Sequence, residues 1–177
     1  MNKNLLALLL TSAAIFSSNA MAAYKTTLSV GYAKSNVNTN GSRLDENPTG
    51  MNGKLRMEIN DDWGVMLSLT NTHYAKDYYY GQFRYATEEL DYFSLLFGPS
   101  YRFNKYISAY ALAGWGYGES NNSIGWANED YSASTVAVGV GLQFNLTKSI
   151  AIDTAWEYAK LDDYKVNTWI VGLGYHF

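Results

Sequence analysis

Val166–Phe177, VNTWIVGLGYHF, decides the fold. Taken in steps of two from Phe177, it gives Tyr175, Leu173, Val171 and Trp169, all apolar or aromatic. The interleaved set, His176, Gly174, Gly172, Ile170, Thr168 and Val166, is smaller and partly polar. A period of two over this length specifies a β-strand with two unlike faces. Aromatic residues at both ends of the apolar face, with Phe in the last position, predict a transmembrane barrel strand. In such a strand the apolar flank meets lipid and the rings sit at the two interfaces.

Seven further segments repeat the pattern: Lys25–Ser35, Met51–Ile59, Trp63–Tyr74, Leu90–Phe103, Ile107–Glu119, Tyr131–Asn145 and Ser149–Ala159. They predict an all-β fold, an eight-stranded antiparallel up-and-down transmembrane barrel. The connections alternate in length. Asn60–Asp62, Asn104–Lys105 and Leu146–Lys148 are short; Asn36–Gly50, Ala75–Glu89 and Ser120–Asp130 are long and polar. With a periplasmic N-terminus, the long connections and Leu161–Lys165 face outside the cell, as in outer-membrane barrels.

Upstream, Met1-Asn2-Lys3 is a short basic segment and Leu5–Phe16 an apolar run. Ala20-Met21-Ala22 fits a cleavage site, so residues 1–22 read as a secretory signal peptide and 23–177 as the barrel domain. After Tyr24 no apolar run is long enough for a membrane helix. An exported chain without Cys has no disulfide framework. Removing Lys3 from the 13 basic residues leaves 12 against 16 acidic, a net charge of −4. That balance points away from nucleic acid. The 16% aromatic content, with sixteen Tyr and five Trp, matches two interfacial belts of amphipathic rings.

Alternation alone also fits a soluble barrel with its apolar face inward. Residue size separates the two. The polar face is mostly Gly, Ala, Ser and Thr, which suits the crowded lumen of eight strands better than a solvated exterior. Charge agrees, because Lys54, Arg56 and Arg102 share the inner parity with Glu58, Asp153 and Glu157. Three of each sign form a polar network that can pair internally, as buried charges must. These carboxylates are read as lumen filling rather than as acid–base catalysts, and a diffusion pore is not expected.

The segments Gly98–Arg102 (GPSYR), Tyr110–Gly118 (YALAGWGYG), Gly141–Asn145 (GLQFN) and Thr168–Phe177 (TWIVGLGYHF) resemble the Ail/Lom/OmpX family of outer-membrane proteins, as does Val30–Ala33 (VGYA). The resemblance runs over nearly the whole mature chain. It implies a poreless eight-stranded barrel in the bacterial cell outer membrane, with virulence-related roles in host-cell adhesion, invasion and complement (serum) resistance. It implies no enzymatic activity, no cofactor and no metal. Leu173, Tyr175 and Phe177 resemble the signal read by the outer-membrane assembly machinery. Expected partners are outer-membrane lipid and lipopolysaccharide, that machinery, and host cell-surface, matrix or complement proteins; the chain is expected to be a monomer.

One feature departs from the adhesive members. The outer loops and strand ends carry Lys34, Arg43, Lys76, Arg84, Lys160 and Lys165. Against them stand Asp45, Glu46, Asp77, Glu88, Glu89, Asp91, Glu119, Glu129, Asp130, Asp162 and Asp163, so six minus eleven gives −5. An acidic rim disfavours heparin-like polyanions. The candidate binding surface is the Tyr-rich segment Asp77–Phe93, with Tyr78, Tyr79, Tyr80, Arg84 and Tyr85, together with Trp126 in the next loop. Its alternating aromatic and polar residues favour strand. Strands three to six are therefore expected to continue past the membrane as a protruding sheet. The competing reading makes these tyrosines part of the outer girdle against lipopolysaccharide.

Two alternatives accompany the adhesin. One is an envelope protein that stabilises the membrane without a dedicated ligand. The other is a lipid A acyltransferase or deacylase, which needs a nucleophile and a base. His73, near Thr70 and Asn71 at the outer end of strand three, is the only His placed for that role, since His176 is at the periplasmic end. Gly114–Gly118 (GWGYG) lacks the helix and spacing of a phosphate loop; its glycines are read as making room for Tyr110 and Arg102.

Overall fold

The structure, a computed structural model, describes residues 25–39, 42–43, 47–80, 83–124, 127–161 and 164–177. The expected signal peptide and Trp126 lie outside them. Eight long strands form one antiparallel sheet: β1 (Thr26–Thr39), β2 (Thr49–Glu58), β3 (Trp63–Tyr80), β4 (Phe83–Arg102), β5 (Ile107–Ile124), β6 (Ala127–Asn145), β7 (Ile150–Leu161) and β8 (Tyr164–His176). Each pairs with the next in sequence, and β8 closes on β1 from Thr27–His176 to Thr39–Tyr164. A two-residue strand, Ser42–Arg43, folds back on the outer end of β1. Closure removes the sheet edges that an open antiparallel sheet exposes.

The two faces fall as the alternation requires. Val30, Tyr32, Phe97, Trp115, Val136, Trp169, Val171 and Leu173 point out and are exposed, Trp115 by 70%. Lys54, Arg56, Ser68, Thr70, Gln143, Asp153 and Glu157 point in and are buried. This is the inverse of a soluble barrel. The lumen is not only small and polar, however. Met66, Leu96, Leu112 and Ile170 are also buried there, interleaved with the charged residues.

Three periplasmic turns, 59–62, 103–106 and 146–149, share one geometry. In each, two successive N–H groups donate to one carbonyl: Ile59 and Asn60 to Trp63, Phe103 and Asn104 to Ile107, Leu146 and Thr147 to Ile150. A side chain then caps the turn, with Asn60, Asn104 or Thr147 accepting from the backbone N–H groups two and three residues on. Short polar side chains do this readily, so these turns are encoded locally.

The outer connections follow the expected protruding sheet and correct the reading of Ala75–Glu89 and Ser120–Asp130 as long loops. β3 and β4 stay paired up to Tyr80–Phe83, with a register irregularity between Tyr78 and Tyr79, and β5 and β6 stay paired up to Ile124–Ala127. The tyrosines, Thr87 and Ile124 supply strand-favouring residues that the local density of charge obscures. The long connections are therefore mostly strand that continues beyond the bilayer.

The outward residues locate the bilayer. Trp63 and Tyr101 pair edge to face at 5.0 Å near the periplasmic turns, and Tyr101 meets Phe103 at 5.2 Å. Further up, Phe93 pairs with Tyr117; the next outward row is His73, Asp91 and Glu119, all polar. Tyr101 and Asp91 are ten residues apart along β4. At ~3.3 Å per residue and a tilt of ~45° this is roughly 23 Å, close to the usual apolar band of outer-membrane barrels. On the other side of the barrel, Tyr175 and Phe177 form the lower girdle. Trp169 opposite Trp156, with Tyr158 stacked on the latter at 6.0 Å, forms the upper one.

Candidate functional site

The lumen is built in layers. At the periplasmic base, Arg102 on β4 forms an ion pair with Glu58 on β2. Arg56 Nη1 donates to Gln143 Oε1 across the barrel at 3.1 Å. Above them Lys54 Nζ meets Asp153 Oδ1 at 2.7 Å, and the Tyr110 hydroxyl donates to the same carboxylate at 2.8 Å. Higher still, Glu157 accepts from Ser68 at 3.1 Å, Thr70 at 3.0 Å and Ser94 at 2.9 Å. Asn52 Nδ2 donates in turn to Ser68 and Thr70, so the hydroxyls relay its hydrogen bonds onto the carboxylate.

The six charged residues of the expected network thus divide into two ion pairs, one Arg bound to an amide and one Glu held by hydroxyls. Pairing by charge alone misses this, because the partners are set by register around the barrel. Tyr110 and Gln143 belong to the network although only the charged residues were singled out. Their inward parity was readable; their partners, forty-three and eighty-seven residues away in sequence, were not. Tyr92 was missed as well. Its ring lies against Gly116, where an added Cβ would sit 3.1 Å from the hydroxyl.

The glycine reading is corrected in one respect. Tyr110 is accommodated by Gly141 on β6, where a Cβ would come within 2.3 Å of the ring. Gly114 faces the Leu95 backbone, Gly116 faces Tyr92 and Gly118 faces Leu161. The GWGYG glycines therefore make room for other residues than Tyr110 and Arg102.

Toward the outside, Ser35 bonds Thr168 at 2.7 Å and Thr72 at 3.1 Å. Beyond this layer Val37, Tyr92, Leu161 and Val166 close the mouth with apolar side chains around a cavity of 40 Å³. No channel for a hydrated solute fits through such packing. The described lumen is filled, which leaves the outer surface as the candidate site for a macromolecular partner.

That surface has two parts. At the upper interface the outward charges segregate. Lys160 stands opposite Lys165, which is also opposite Asn38, and Lys34 is opposite Trp169. Asp91 stands opposite Glu119 on β4 and β5, on another side of the barrel. Among the described residues of this row, the basic ones thus lie on β7, β8 and β1 and the acidic ones on β4 and β5, while Asp45, Glu46, Asp162 and Asp163 of the −5 count lie outside the described residues. Above the rim rises a four-stranded sheet. The β2–β3 ladder stops at Thr49–His73 and the β6–β7 ladder at Ala137–Ala159, while β3 through β6 continue together. From His73 to Tyr80 the extension is seven residues, about 23 Å along the strand. The backbones of Tyr78, Tyr79, Tyr80, Arg84 and Tyr85 all lie in this extension.

The two His side chains lie at opposite ends of the barrel with different partners. His73 Nδ1 is 2.8 Å from Asp91 Oδ1, both about half exposed on the outward face. His176 lies at the base, 2.6 Å from Thr27 Oγ1 and 3.1 Å from Asn145 Oδ1. Among the described residues neither ring bonds a Ser, and no cluster of His, Asp or Glu could hold a metal ion.

Comparison with known proteins agrees with this architecture. A family model described as Outer membrane protein beta-barrel domain matches residues 5–177. The attachment invasion locus protein of Yersinia enterocolitica is 42% identical over 178 residues, covering 100% of both chains. Outer membrane protein X of Escherichia coli (strain K12) is 30% identical, covering 92% of this chain and 91% of that protein. Among solved structures, the crystal structure of Ail, the attachment invasion locus protein of Yersinia pestis, in complex with the heparin analogue sucrose octasulfate, superposes with a TM-score of 0.81. It is 40% identical and covers 87% of this chain and 99% of that one.

Proposed function

This chain belongs to the outer-membrane β-barrel family that includes the attachment invasion locus proteins and outer membrane protein X, and from that premise we propose that it is a surface adhesin working through its protruding sheet. The observation that carries the reading is the continuation of β3–β6 past the polar row His73–Asp91–Glu119. A barrel that only stabilised the envelope would have no use for strands running about 23 Å of their own length past that row. Along β6, residues 127–136 pair with β5 on one side, and no described strand joins them on the other. Such an edge accepts an extended segment of a partner by strand addition, with main-chain hydrogen bonds giving affinity and neighbouring side chains giving selectivity. The partner class is a host cell-surface or matrix protein, and a complement protein captured in the same way would confer serum resistance.

The tyrosines Tyr78, Tyr79, Tyr80 and Tyr85, with Arg84 and Trp126, are proposed as the contact residues, because Tyr, Trp and Arg dominate binding hot spots. The related Yersinia pestis structure holds a heparin analogue. The −5 outer rim of this chain favours a protein partner over a sulfated polysaccharide. Lys34, Lys160 and Lys165, beside the upper aromatic girdle, are the residues proposed to meet lipopolysaccharide phosphates. Catalysis has no place in this reading, and the lumen carboxylates and charges act as filling. The chain works as a monomer, inserted by the outer-membrane assembly machinery.

Deleting Tyr78–Tyr85 removes the tip of the β3–β4 hairpin and leaves the bilayer ladders in place. Such a variant is expected to reach the outer membrane and keep its heat-modifiable migration while host-cell attachment is lost. Wild-type attachment by the deletion variant would rule out the sheet tip as the adhesive surface.

A further inference from the structure

Several buried polar atoms at the base of the lumen have no protein partner. Arg56 Nε, Arg102 Nε and Gln143 Nε2 are buried without a partner, as are the hydroxyls of Ser100 and Ser108. Arg56, Gln143, Ser100 and Ser108 are each 1% exposed or less. The three nitrogens can only donate, so no rearrangement among themselves satisfies them. Leaving them unmatched in a low-dielectric interior is costly.

These groups belong to one place. Ser108 on β5 is in register with Arg102 on β4 and with Gln143 on β6, so the three stand side by side on the inner wall. Arg56 reaches the same spot from β2 through its bond to Gln143. Glu58 closes the ring by pairing with Arg102. Ser100 lies one step above Arg102 on the inner face of β4.

The charges nearest these donors are two guanidinium groups and one carboxylate, Glu58. Asp153, the next acidic group up, also acts on Arg56 but is engaged with Lys54 and Tyr110, and Glu157 lies higher among Ser68, Thr70 and Ser94. Water offers acceptors but no charge, whereas an anion supplies both. An interior only just wide enough for side chains limits such a ligand to a small spherical ion. The Arg102 side chain is 19% exposed at the rim, which gives the site an entrance from the periplasm.

We propose that the periplasmic base of the lumen binds one small inorganic anion of the halide class between Arg56, Arg102, Gln143 and Ser108. The ion supplies the acceptor that these donors lack. It thereby fixes the two arginines across the barrel and closes the lumen from below, as the apolar mouth closes it from above.

Bromide is the probe. Crystals of the detergent-folded barrel grown in sodium bromide are expected to show an anomalous peak within hydrogen-bonding reach of Arg56 Nε and Gln143 Nε2, absent in Arg56→Met. In solution, the unfolding midpoint of the wild type should rise saturably with sodium chloride relative to sodium gluconate at equal ionic strength. Glu58→Gln removes the competing carboxylate and should lower the half-saturating chloride concentration about tenfold. This second variant keeps the test valid if Arg56→Met does not fold. Equal midpoints in chloride and gluconate with no bromide peak would mean that the base is filled by water, and the proposal would be wrong. A chloride dependence unchanged in Glu58→Gln would overturn it equally.

Discussion

Lys54→Met lowers the unfolding free energy of the detergent-folded barrel by about 3–5 kcal/mol, the usual effect of stripping one partner from a buried ion pair. Lys54 and Asp153 are each 1% exposed, and their 2.7 Å contact joins β2 to β7 across the lumen. Without the ammonium, Asp153 keeps the Tyr110 hydroxyl as its one side-chain donor among the described residues. Methionine preserves most of the buried volume, so the loss reflects the uncompensated carboxylate rather than a cavity. Adding Asp153→Asn to the same chain should recover a large part of the loss, because a neutral amide can remain buried with one good partner. Urea titrations of the single and double variants give both numbers. A change under about 1 kcal/mol for Lys54→Met would place another cation or water on Asp153 and remove the pair from the account.

Deleting Phe177 is expected to strip the protein from the outer membrane in living cells while leaving the folded barrel almost unchanged in vitro. Phe177 is 73% exposed. Within the fold it contributes one N–H bond to the Thr26 carbonyl at 2.9 Å and an edge-to-face contact with Tyr175 at 5.0 Å. A hydrogen bond and an aromatic pair at the periplasmic rim together account for about 1–3 kcal/mol. A strong assembly defect beside so small a stability change marks Phe177, with Tyr175 and Leu173 on the same face, as a recognition element. Cell fractionation together with refolding into detergent separates the two effects. Normal membrane levels of the deletion variant would contradict that role.

Much of the barrel could be read from residue parity. In Val166–Phe177 the alternation of Trp169, Val171, Leu173 and Tyr175 with Thr168, Ile170, Gly172 and Gly174 corresponds to the outward and inward faces of β8. The same rule turned Lys54, Arg56, Glu58, Asp153 and Glu157 inward, because a one-residue slip would place them in lipid. Parity says nothing about who meets whom across the lumen. That Arg56 finds Gln143, or that Glu157 rests among Ser68, Thr70 and Ser94, depends on strand stagger around the closed sheet. The hairpin tips were harder for a different reason. Lys76, Asp77, Glu88 and Glu89 give Ala75–Glu89 the composition of a loop, yet backbone pairing carries β3 and β4 through it. Outside lipid a strand has no apolar face to show, so hydrophobic periodicity fades where the sheet leaves the bilayer.

The plugged lumen and the projecting sheet divide the molecule into an anchor and a reach. The anchor explains how the chain sits in the outer membrane; the reach is the part available to a host. Expression of the full chain in a non-adherent Gram-negative strain tests this division most directly, with host-cell attachment and survival in serum measured on the same cultures. The account predicts a gain in attachment that disappears when Tyr78–Tyr85 is deleted at equal surface level. A correctly assembled protein that changes neither attachment nor serum survival would contradict it and leave an envelope protein without a host partner.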